Sequence, residues 1–148
     1  EISDWWKDQT NEWTQLRREA MNVLQEYDEL QEIVQLVGRD VLPDSQRLVL
    51  LTAEILRQGF LQQDAFDEVD SFCDPAKQAL LLEAIVRFHR SAREMISGGM
   101  PVARVREMDI VNELKRARFN VENGDQEALH RLLSDVQSQI EEAKESYQ

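Results

Sequence analysis

The sequence has little of what makes crosslinks, tight turns or membrane spans. Its 148 residues include one Cys, five Gly and three Pro. A lone cysteine, Cys73, excludes an intrachain disulfide, and nothing marks an oxidising compartment, so a cytoplasmic setting fits. No apolar run approaches the roughly 20 residues that a bilayer-spanning helix needs, and the N-terminus lacks the basic-then-apolar layout of a signal peptide. Positive charge is also scarce: 17 Lys and Arg stand against 29 Asp and Glu, giving a formal charge of −12. Such a surface repels phosphate backbones and anionic headgroups, which argues against nucleic acid as a partner and against direct membrane insertion. There is no Met at position 1, and Glu1-Ile2-Ser3-Asp4-Trp5-Trp6 reads like the interior of a longer protein.

What is present is helix-forming. Apolar residues make up 42% and charged residues 31%, the range of a globular chain, and the length suits one domain over 1–148 with a single core. Leu, Ala, Glu, Gln and Arg dominate, with little turn chemistry between them. From Trp13 the apolar positions Leu16, Ala20, Val23, Leu24, Tyr27, Leu30, Ile33, Val34 and Val37 fall three or four apart, as one face of an amphipathic helix requires. Gly38 stops that helix. The next opens at Leu42-Pro43-Asp44-Ser45, with Pro suited to a first turn, and carries Leu48, Leu51, Ile55 and Leu56 towards Gly59. Asp74-Pro75 starts a third helix through Leu81, Ile85, Phe88, Ala92 and Met95, which Gly98-Gly99 end. A shorter helix near Met108 to Arg118 follows. After a turn at Asn123-Gly124, Asp125 caps a last helix through Leu129, Leu132, Leu133, Val136 and Ile140. With no repeat and no β pattern, the expected fold is all-α: a compact helical bundle with a projecting helix-turn-helix hairpin near residues 38–45.

Most chemical motifs are missing. No Gly-x-x-x-x-Gly-Lys-Ser/Thr run exists to cradle phosphates, and Gly98-Gly99 reads as helix termination. His89 and His130 lie on separate helices without metal-ligand companions at i+3 or i+4, so both are expected to be ordinary surface or edge histidines. Cys73 reads as an idle thiol, since no motif around it suggests a nucleophile. An EF-hand counted from Asp64 would need Gly and Glu where Val69 and Pro75 stand, so Asp64, Asp67, Glu68 and Asp70 read as loop and cap carboxylates. Trp5, Trp6 and Trp13 are expected to pack against protein, including a domain preceding this one.

Two stretches carry a resemblance. Residues 24–38, Leu-Gln-Glu-Tyr-Asp-Glu-Leu-Gln-Glu-Ile-Val-Gln-Leu-Val-Gly, resemble the entry into the C-terminal domain of rotary ATPase catalytic subunits. Residues 60–70, Phe-Leu-Gln-Gln-Asp-Ala-Phe-Asp-Glu-Val-Asp, resemble the Leu-Gln-Gln-Asn-Ala-Phe-Asp-x-Val-Asp run of the A (alpha) subunits of archaeal and vacuolar type (A/V-type) ATP synthases. The similarity runs over essentially the whole chain, although its specific motifs lie between Leu24 and Cys73.

The resemblance implies a domain that transmits ATP chemistry in a proton- or sodium-translocating complex, peripheral to the membrane. The chain itself is expected to be inactive and to hold no cofactor, with ATP or ADP and magnesium bound by the full-length subunit. Implied partners are a preceding nucleotide-binding domain, neighbouring B subunits and the central stalk. Arg39, Asp40, Val41, Leu42, Pro43 and Asp44 become the stalk-facing loop, where Arg39 offsets two carboxylates so that contact shape outweighs charge steering. Phe66, with Phe72 as the second candidate, becomes the aromatic laid against adenine; core filler is the plain reading of Phe66. The alternative to this reading is a stand-alone helical adaptor whose apolar faces bind partner helices. A stand-alone enzyme lacks a visible nucleophile-base pair, metal cluster or phosphate loop.

Overall fold

The computed structural model describes residues 2–61, 75–122 and 125–147, with side chains except those of 2–11, 61, 75 and 76. Phe66, Phe72, Cys73, the Asp64–Asp70 carboxylates, the Asp74 cap and the Asn123-Gly124 turn lie outside the described residues. The described residues are helical, without strands. The helices are α1 (Ile2–Val37), α2 (Asp44–Leu56), α3 (Pro75–Ser97), α4 (Val102–Arg106), α5 (Asp109–Asn120) and α6 (Gln126–Tyr147). A 3₁₀ turn, Arg39–Val41, joins α1 to α2, and a π-helical turn, Arg57–Leu61, follows α2.

Helix α2 is the centre. The sequence shows an apolar stripe, yet Leu48, Val49, Leu50, Leu51, Thr52, Ala53, Ile55 and Leu56 are all buried. A helix apolar on nearly every side needs neighbours on every side, and α1, α3, α4 and α5 supply them. Each fully buried Leu or Ile contributes about 1.5–3 kcal/mol. Helix α3 lies along α2 and α6, burying Leu81, Ile85, Phe88, Ala92 and Met95 as its periodicity predicts.

Helix α1 has 36 residues, roughly 54 Å at 1.5 Å per residue, and starts eleven residues before Trp13. It buries Leu16, Ala20, Val23 and Leu30. Ile33 and Val37, expected on its core face, are exposed instead. The heptad-like spacing continues past the point where α2, starting only at Asp44, offers a partner. Arg90 on α3 donates to both carboxylate oxygens of Glu19, fastening α1 to the bundle.

Turn chemistry works largely as the sequence indicates. At Gly98-Gly99 the Met100 amide donates to the Met95 carbonyl and the Gly99 amide to Ile96, each at 3.0 Å, with Gly99 at φ +107°. That is a Schellman ending, and its usual apolar contact is available because Met95 and Met100 are both buried. Asp125 accepts from the Ala128 amide at 3.0 Å, as an N-cap should. Pro43 sits one step earlier than expected, as the residue capping α2. Helix α4, five residues long, has no counterpart in the sequence reading.

His89 is the clearest correction. It is buried, and its Nδ1 shares a hydrogen bond of 2.7 Å with Thr52 Oγ1 across the α2–α3 interface. Burial pushes it down to about 4, Arg93 adds to the fall, and Glu19 opposes it. The ring is therefore neutral at pH 7. His130 is exposed.

Candidate functional site

The turn between α1 and α2 departs most from what a bundle needs. Gly38 ends α1, its amide donating to the Val34 carbonyl at 2.8 Å. Its φ of 86° and ψ of 164° define a backbone region that is essentially glycine-only. Arg39–Val41 form the 3₁₀ turn, which the Leu42 amide closes on the Arg39 carbonyl at 3.0 Å. Pro43 then accepts from the amides of Gln46 and Arg47, launching α2.

The side chains around this turn are inverted relative to the core. Leu36 is 84% exposed, Val41 65%, Val37 54% and Ile33 43%. Scattered exposed apolar residues need no explanation, but four gathered on one turn form a patch of the kind that marks an interaction surface. Arg39 and Asp40 are exposed beside them.

The six loop residues singled out from the sequence therefore divide. Arg39, Asp40, Val41 and Pro43 present surface, whereas Leu42 is only 6% exposed and belongs to the core. Asp44 is half-buried, and its Oδ2 accepts from the Val102 amide at 3.0 Å. It thus satisfies one of the free amides opening α4, so its carboxylate serves as a strut holding the turn to the bundle. Sequence reasoning missed Ile33 and Leu36 as surface residues of this turn. The helical spacing placed Ile33 inside, and Leu36 falls off that spacing without any sign of a function.

The base of the turn is fixed by the buried Leu42 and Leu48 and by the Asp44–Val102 bond. Farther along, Arg57 stands over the Tyr27 ring at 4.5 Å and 3.6 Å from Asp28, tying the start of the π turn to α1. The two adenine candidates, Phe66 and Phe72, fall outside the described residues; Phe60, just before them, is half-buried against the core. Among the described residues no helix is long and apolar enough to cross a membrane.

Comparison with known proteins bears on what such a bundle belongs to. Residues 3–106 match the family described as the C-terminal domain of V and A type ATP synthase. The chain is 41% identical over 149 residues to the V-type ATP synthase alpha chain of Halothermothrix orenii, covering 100% of this chain and 25% of that protein. It is 38% identical to the A subunit of the A-type ATP synthase of Methanopyrus kandleri, over 96% of this chain and 24% of the relative. For the corresponding A subunit of Pyrococcus abyssi the identity is 40%, over 99% of this chain and 14% of the relative. The chain spans a quarter or less of the length of these relatives, and the similarity continues through α5 and α6, past the region matched by the family model. The chain therefore belongs to the family of C-terminal domains of V- and A-type ATP synthases.

Proposed function

We propose that this domain is a stiff arm that couples nucleotide chemistry in the rest of a catalytic A subunit to a central stalk, with the α1–α2 turn as its contact. The observation that carries this reading is the outward-facing set Ile33, Leu36, Val37 and Val41 on a turn whose base is buried. An apolar tip on a rigid root can transmit displacement without holding charge against charge. Arg39 beside Asp40 leaves the tip close to neutral, in keeping with contact by shape.

The domain's own share in ATP chemistry is a single edge of the nucleotide site. Phe66, or Phe72, lies against the adenine ring, while the phosphates and magnesium are held by a preceding nucleotide-binding domain. Neighbouring B subunits flank the assembly, which is peripheral to the membrane on its cytoplasmic side. Without phosphate contacts the 148-residue chain does not hydrolyse ATP.

The test uses the full-length subunit in its assembled complex, carrying Leu36→Ser, Val37→Ser and Val41→Ser together. ATP hydrolysis should continue while ion transport per ATP falls. An unchanged ratio of transport to hydrolysis sinks the proposal.

A further inference from the structure

The chain enters and leaves residues 62–74 over one and the same helix. On the entering side, Gly59 is buried in the π turn against α5. A Cβ placed on it would stand 2.4 Å from the Leu114 carbonyl oxygen, 3.3 Å from the carbonyl carbon and 3.5 Å from Lys115 Cα. All three are backbone atoms, so no side-chain rotation makes room. Just before this point, Lys115 Nζ lies 3.4 Å from Glu54 Oε1, joining α5 to α2.

On the leaving side stands Lys77, in the first turn of α3 and 5% exposed. Its ammonium donates to the Arg118 carbonyl at 2.8 Å and to the Val121 carbonyl at 2.5 Å. These carbonyls belong to the end of α5, where helix geometry leaves acceptors without amide partners and the dipole is negative. A lysine is seldom buried unless paired in this way. From Leu114 to Val121 is about 10 Å along a helix axis, so both chain ends are held within one short stretch of α5.

We propose that α5 is the seat that sets where the Phe66 and Phe72 segment stands, and that Gly59 and Lys77 are positioning residues for the adenine contact. The inference rests on the nucleotide reading above. Neither residue touches nucleotide; each acts through the backbone it holds. The seat lies beyond the residues 3–106 matched by the family model, so the ties run from that part to the remainder of the chain.

The experiment measures KM and kcat for ATP hydrolysis by the assembled complex carrying full-length subunit with Lys77→Met, Gly59→Ala, Lys77→Arg, Phe66→Leu or Phe72→Leu. Lys77→Met and Gly59→Ala should each raise KM about two- to tenfold, the range one aromatic contact supplies, with kcat within about twofold. Lys77→Arg, which keeps a cation able to reach two carbonyls, should recover most of the loss. Combined with whichever Phe→Leu change raises KM, Lys77→Met should add nothing further, because both remove one contact; a full additional rise overturns the proposal. A normal KM in Lys77→Met and Gly59→Ala beside a raised KM in a Phe→Leu variant overturns the seat and leaves the nucleotide reading standing. A normal KM in both Phe→Leu variants overturns that reading and the inference with it. Failure of Lys77→Met and Gly59→Ala to assemble assigns these residues to folding alone and overturns the proposal too.

Discussion

The two ends of α2 place their side chains in opposite ways. Where the chain turns into α2, apolar groups face outward, with Leu36 at 84% and Val41 at 65% exposed. Around its far half, polar groups face inward: Thr52 is 1% exposed, and His89 beside it is 8%. The first arrangement leaves hydrophobic surface unused by the domain itself. The second gives up apolar burial in exchange for a directional contact that fixes how α2 sits on α3, because a hydrogen bond has a preferred register and an oily contact has several. An arm that moves a partner requires both, a surface at its tip and a single arrangement at its root.

Phe88 tests the root most severely. It is 0% exposed at the centre of α3, and Phe88→Ala should destabilise the chain by about 3–5 kcal/mol, since a close-packed site collapses only partly around the void. Urea unfolding of the 148-residue chain measures this. A loss under about 1 kcal/mol would show that the root is not close-packed and erase the contrast with the tip.

His89 gives the next largest effect, and its sign follows from the direction of its shift. The folded chain holds the ring down to about 4, against an ordinary value of 6.5. Between those values the unfolded chain takes up a proton that the folded chain does not. Stability is therefore unaffected by this group above about pH 6.5 and falls as the pH drops towards about 4, by about 3 kcal/mol in all. Carboxylates add their own acid dependence, so the measurement compares the parent chain with His89→Gln by urea unfolding at about pH 7.5 and about pH 4.5, on either side of the ordinary histidine range. The parent should lose more stability on acidification by most of that amount, and equal losses would show that His89 is not held neutral.

The sequence reveals the parts of this molecule that depend on neighbours a few residues away. The α3 face, the Asp125 cap and the Gly98-Gly99 ending follow from local spacing and backbone freedom, and so does the turn at Gly38 to Pro43. What it hides comes from distant segments. Thr52 buries its contact with a histidine 37 positions later, and nothing near His89 signals this. Lys77 in a first helical turn reads as solvated until α5 brings two carbonyls to it. Gly59 reads as a helix stop, but its close neighbour is the Leu114 backbone. At the candidate site the turn's position is legible and the direction of its side chains is not: Leu42 and Ile33 exchange the places that type and periodicity suggest. Five residues of α4 are too few to show a period at all.

The smallest predicted effect bears most directly on the tip. Leu36→Ser removes a large apolar side chain, yet at 84% exposure that side chain gains little from folding. What remains is the lower helix propensity of Ser in the last turn of α1, a few tenths of a kcal/mol. Unfolding of the chain should therefore shift by no more than about 0.5 kcal/mol, while the same change in the full assembly weakens transport per ATP as part of the triple variant. The pairing matters more than either number. A residue that contributes to packing cannot be lost without cost to the fold, and a residue kept for a partner can. If Leu36→Ser instead costs the isolated chain about 2 kcal/mol or more, a range typical of buried truncations, then Leu36 is covered by this chain's own residues in solution, and the apolar surface assigned to a partner does not exist.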